Sequence, residues 1–194
     1  MIVAFMKRDY HSLIAQSALI ACTGYLLSGP AGFVAVHFIK PQPAWHSSAM
    51  FAANYHFVQD IPYYFGLLLI GGMMMLSAAH YLQVQEDHAR SKIAELVSLM
   101  FTVVFATLIF FNYICQTTFV RHLALHYKPS DDAVIAAFSM SNPMSLSWAV
   151  EMWGYGFLGV ATWLLAEYYR NRNALIRYLL IGNGIMSVAG VCLP

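Results

Sequence analysis

From Ile93 to Val120 the chain carries a single charged side chain, Glu95, in an otherwise apolar run. About 20 apolar residues, rising 1.5 Å each, cross the hydrocarbon core of a bilayer. Inside lipid every backbone polar group needs an internal partner, so a run like this is read as a helix. Four further stretches read the same way. The expected spans are about 13–38, 62–82, 93–120, 143–169 and 174–191. Composition agrees. Of 194 residues, 60% are hydrophobic and only 10% charged, where a soluble domain carries about 25%. The expected fold class is all-α: one transmembrane domain over residues 1–194, a polytopic membrane helix bundle. It has five transmembrane helices and two long outer loops carrying short surface helices.

Local signals refine this frame. Ser28-Gly29-Pro30 interrupts the first span, and proline removes a helix hydrogen bond, so a kink or break is expected there. Lys7 and Arg8 ahead of the apolar run imitate a secretory signal. A signal core is only about 7–15 residues. The run from Leu13 to Phe38 is therefore read as a retained helix, with cleavage near Ser28–Gly32 as the alternative. Trp45 to Val58 is expected to form a short amphipathic surface helix. Asp60 and Pro62 open the second span, and Gly71-Gly72 allows close helix approach. Glu95 is expected to snorkel to the interface. Ser130-Asp131-Asp132 caps a second surface helix, and Asn142 with Pro143 starts the fourth span. The likeness of the two long loops suggests an old hairpin duplication.

Orientation follows from basic residues in short loops. The N-terminus, loop 83–93 and loop 169–177 hold Lys7, Arg8, Arg90, Lys92, Arg170, Arg172 and Arg177. The opposite side holds Lys40, Arg121 and Lys128. The N-terminus is thus expected in the cytoplasm, in the inner membrane if the source is bacterial, with loops 39–61 and 121–142 outside.

Glu151 is the residue most out of place. An ionisable group inside a span is by default a functional-site hypothesis. At 1.5 Å per residue it lies roughly 12 Å below Pro143, and Asn112 lies roughly 13 Å below Arg121. Asn112 and Gln116 are four apart, as are Ser147, Glu151 and Tyr155, so each set makes one polar stripe. The functional reading is an outward-facing pocket centred on Glu151. Asn112, Gln116, Ser147 and Tyr155 supply hydrogen bonds, and Arg121 acts as counter-charge. The competing reading is a buried polar clasp that fixes helix packing.

Five histidines fall on the outer side. His122 and His126 share a face if the third helix continues past Arg121. With His56 or Asp60 they are a candidate site for zinc or copper. Paired mid-span histidines for haem are absent, and Cys22, Cys115 and Cys192 form no metal or disulfide motif. The net charge of +1 gives no argument for nucleic acid. The expected surroundings are the lipid bilayer, with a second copy or partner membrane subunits on glycine-rich helix faces.

Three function classes follow: binding or transport of a small molecule, lipid or proton at the Glu151 pocket; a structural or assembly subunit; and a membrane-embedded enzyme or redox protein using Glu151, Arg121 and the outer histidines. No catalytic residue is assigned. Residues 112–156 carry Asn112-Tyr113, Gln116, Val120-Arg121, Ser141-Asn142-Pro143, Glu151 and Gly154-Tyr155. This set resembles an uncharacterised family of bacterial multi-pass membrane proteins. The resemblance implies six helices and no activity, so either the comparison fails, the first helix is two membrane segments, or a final helix is missing.

Overall fold

A computed structural model describes residues 2–84 and 89–192, with side chains over 12–84 and 92–191. The topology markers Lys7, Arg8 and Arg90 lie outside the described side chains, as do His11, His88 and Cys192. Part of the 83–93 loop also lies outside the described residues.

Among the described residues the chain is helical throughout, with no strand. Helix α1 covers Ile2–Ser28 and α2 covers Pro30–Ile39, so the helix breaks at Gly29, one residue before the proline. Short helix α3 spans Ser48–Asn54, and the Ser47 hydroxyl caps it by accepting from Met50 N–H. A 3₁₀ turn at Phe57–Asp60 leads into α4, Ile61–Val84. Helix α5 runs Ala89–Ile114, widens into a π segment at Cys115–Val120, and continues as α6, Arg121–Leu125. A 3₁₀ turn at Pro129–Asp131 precedes α7, Asp132–Phe138. Helices α8, Leu146–Tyr168, and α9, Ala174–Cys192, follow.

Four segments are long and apolar enough to cross a membrane: Ser12–Ile39, Phe57–Val84, Lys92–Leu125 and Ala174–Val191. Helix α8 has the length, at 23 residues. Its two glutamates, three tryptophans and three glycines place it below the hydropathy of the other four. Large apolar side chains face outward, Phe38 at 80% and Met186 at 74% exposure. Such surface suits hydrocarbon contact.

The start of α8 differs from expectation. Asn142 does not cap it, and Pro143 precedes it. The cap is Ser145, whose hydroxyl accepts from Trp148 N–H at 3.0 Å. Asn142 is used in the preceding turn: its amide donates to Ala136 O at 2.7 Å and its oxygen accepts from Met144 N–H at 3.1 Å. Asparagine bonds readily to backbone two residues on, and here that turn wins over the helix cap.

Two compact units are present. One holds Cys22–Ile70 and Leu108–Glu151. Its apolar core joins Phe51 of α3, Val120 of the π segment, Ala124 of α6 and Ile135 of α7. The Ser48 hydroxyl donates to Asp132 O at 2.8 Å, tying α3 to α7. Gly24 lets α1 lie against α4: a Cβ there would stand 2.4 Å from Leu69 N. The other unit holds Met1–Ala21, Gly71–Thr107 and Met152–Pro194. Its interior carries a ladder of small hydroxyls. Ser98 donates to Ala161 O at 2.8 Å, and Ser77 to Thr102 Oγ1 at 3.2 Å.

Candidate functional site

Glu151 is 7% exposed and both its oxygens are held. Asn112 Nδ2 donates to Oε2 at 2.8 Å, and the Tyr113 hydroxyl donates to Oε1 at 2.8 Å. Both donors come from the last turn of α5, and both are neutral. Asn112 Nδ2 also lies 3.1 Å from Ser147 O, so its amide joins α5 to the first turn of α8.

Gln116 forms the next layer. It sits in the π segment, where an extended turn rotates everything beyond it relative to an unbroken α-helix. Its amide donates to Phe138 O at 2.8 Å and reaches Ser147 Oγ at 3.4 Å. Its oxygen accepts from Met140 N–H at 3.0 Å. Gln116 therefore fixes the α7–α8 turn rather than touching Glu151. Four of the six residues expected in the pocket, Glu151, Asn112, Gln116 and Ser147, thus meet in one hydrogen-bonded node.

Arg121 does not join it in that way. Arg121 is not the counter-charge of Glu151. Its guanidinium lies 3.8 Å from Asp60 Oδ2 and 3.5 Å from the Tyr64 hydroxyl. The π turn explains why a straight projection from Asn112 does not place it. Tyr155 belongs to the other unit, where its ring tilts against Phe105 at 5.5 Å. Tyr113 was the missing member. It neighbours Asn112, and its signal was a tyrosine one residue from a polar stripe.

Asp60 is buried, and the Tyr55 hydroxyl donates to it. Burial, reinforced by that carboxylate, holds the Tyr55 phenol well above its usual range. Between this cluster and the node lies a cavity of about 10 Å³ lined by Gln42, Tyr55, Gln59, Asp60, Tyr63, Gln116 and others. That is close to the least volume that holds one water. The Tyr63 ring tilts against Tyr113 at 5.2 Å, and Gln116 belongs to the node, so the cavity shares walls with the shell of Glu151. A larger groove of about 560 Å³ runs past Phe33, Val34 and Phe38, but neither Glu151 nor its partners line it.

The proposed metal ligands do not gather. Among the described residues no three His, Cys, Asp or Glu side chains could hold a metal ion together. His122 and His126 do share a face, because α6 continues the helix, and their rings lie 4.5 Å apart. His126 Nδ1 is engaged with His122 O at 3.0 Å. His56 instead caps the 3₁₀ turn, its Nδ1 accepting from Val58 N–H, and Asp60 is taken by Tyr55 and Arg121.

Glu95 does not snorkel either. It is 3% exposed and paired with His80, Nδ1 to Oε2 at 3.1 Å. Neither residue belongs to the expected site, since each lies near a helix end.

The fold and this node define a helical protein with four helices apolar enough to cross a membrane and a closed carboxyl centre at the junction of α5 and α8. No family model, curated protein or solved structure matches the chain.

Proposed function

We propose that the chain is an integral membrane protein whose Glu151 node is a proton-binding site, reached from the outer side through the one-water cavity. In this reading α8 is a fifth span, the N-terminus is cytoplasmic, and α3 and α7 cap the outer side. The observation that carries it is the donor set: among the described residues Glu151 is held by two neutral groups and no cation. The chemistry left to such a carboxyl is gain and loss of a proton. The cavity beside it has room for water but not for a lipid or a larger solute. Asp60, in its wall and paired with Arg121, sets the local field.

Proton uptake by the full chain in lipid vesicles tests this. Uptake that falls in Glu151→Gln, leaving only what other groups take up, supports the reading. Uptake unchanged in that variant contradicts it.

The second reading is the polar clasp of an assembly subunit. Its support is that both Glu151 oxygens are satisfied by side chains of one neighbouring helix. It predicts partner membrane proteins that co-purify, and an intact complex in Glu151→Gln. For the enzyme or redox reading, His122 and His126 share a face, while His56 and Asp60 are engaged with other partners. The resemblance of residues 112–156 to bacterial multi-pass proteins suits either membrane reading.

A further inference from the structure

A second buried carboxyl lies in the other unit, and the reading of Glu151 makes no use of it. Glu95 of α5 and His80 of α4 are both buried. His80 Nδ1 lies 3.1 Å from Glu95 Oε2, and Nε2 lies 3.1 Å from the Tyr169 hydroxyl. A carboxylate only accepts, so the proton of the neutral imidazole belongs on Nδ1, and Nε2 accepts from the Tyr169 O–H. Among the described residues, Tyr168 and Arg172 also join this cluster. Tyr168 meets the imidazole edge-on at 4.6 Å, and Arg172 lies over the Tyr168 ring at 4.1 Å. Lys92 stands one turn before Glu95 on the same helix.

Two observations point to a ligand here. Glu95 Oε1 is buried and has no hydrogen-bond partner among the described residues. An open carboxylate oxygen out of water is a costly state for a charged group. The chain of contacts also has direction. Tyr169 is partly exposed, whereas His80 and Glu95 are buried. A nucleophile or acid, a histidine and an orienting carboxylate within hydrogen-bond reach is the arrangement that moves protons in many sites.

We propose that Tyr169, His80 and Glu95 form a proton relay, with the Tyr169 hydroxyl as its port and Glu95 as the inner proton-binding site. In the inward step the phenolic O–H proton passes to His80 Nε2, and Tyr169 takes a replacement proton from hydronium. The Nδ1–H bond breaks as its proton passes to Glu95 Oε2. The carboxylate becomes a neutral carboxyl, the imidazole and phenol stay neutral, and water is released. Nothing is oxidised or reduced, and the reverse step returns the proton.

Infrared difference spectroscopy on the full chain in lipid vesicles, after a pH jump, tests the relay through the protonated-carboxyl C=O band. The expected result is a titrating band lost in Glu95→Gln and kept in Glu151→Gln, which separates this site from the Glu151 node. Tyr169→Phe should slow the appearance of that band by roughly a hundredfold, the scale of a lost acid–base group, and leave its final amplitude unchanged. A band unaffected by Glu95→Gln, or no titrating band of this kind in the wild type, overturns the proposal. Should Glu95→Gln fail to assemble, Tyr169→Phe decides alone, since it deletes only a partly exposed hydroxyl. An unchanged rate in that variant overturns the relay.

Discussion

Two buried carboxyls in this chain are treated in opposite ways. Glu151 has a donor on each oxygen, both neutral and both from α5. Among the described residues, Glu95 has an ionisable partner on one oxygen and nothing on the other. The first arrangement is closed: each oxygen already has its partner, and breaking either contact leaves an unpaired polar atom. The second is open, with a histidine that can trade its proton. Neutral donors on both oxygens hold the Glu151 carboxyl in place, whereas a histidine on one oxygen gives Glu95 a partner that can hand a proton on. In the roles proposed above, the same residue type binds a proton inside a fixed shell in one place and through a relay in the other.

The sharpest way to break this contrast is to open the closed node. A Cβ on Gly66 would stand 2.2 Å from Tyr113 Cε2. Gly66→Ala must displace a buried ring that is bonded to Glu151. It should destabilise by about 3 kcal/mol, the upper range for overpacking, as read by unfolding in mixed detergent. Asn112→Ala removes a donor without crowding. It should cost about 1–2 kcal/mol, because the remaining oxygen is buried and unpaired. At the open node Glu95→Gln exchanges one unpaired atom for another, so its effect should stay below about 1 kcal/mol. A larger loss there than in Asn112→Ala would erase the distinction. Smallest is Arg121→Ala. Its pairing with Asp60 is long and half-exposed, so solvent screening should hold the change within about 0–1 kcal/mol, shrinking further in salt.

Tyr55 adds a pH signature. Its folded phenol holds its proton more tightly than the unfolded one, whose value is about 10. Above that pH the unfolded state releases a proton that the folded state keeps. The stabilisation is therefore complete below about pH 10 and declines as pH rises. Tyr55→Phe should flatten this alkaline decline, measured as stability against pH.

Much of the architecture was legible because it rests on short-range rules. Apolar length located four of the expected spans, Gly29-Pro30 marked the break in the first helix, and Asp131-Asp132 marked α7. The meeting of Asn112, Gln116, Ser147 and Glu151 was also legible, since helical spacing and equal depth are local arithmetic. What escaped was set by helix rotation and by distant pairing. The π segment altered the face of Arg121, so its partner became Asp60, 61 residues away in sequence. His80 and Glu95 meet only because α4 and α5 return alongside each other within one unit, and neither carries a motif. Asn142 obeyed its turn rather than its cap, a contest between two local rules that sequence alone does not settle.

Carbodiimide labelling of Glu151 across pH, in the folded chain in lipid and with Glu151→Gln as control, tests the central claim most directly. The account predicts labelling that rises with protonation of one carboxyl and vanishes in the variant. No labelling of Glu151 at any pH in folded protein would contradict it and leave the clasp.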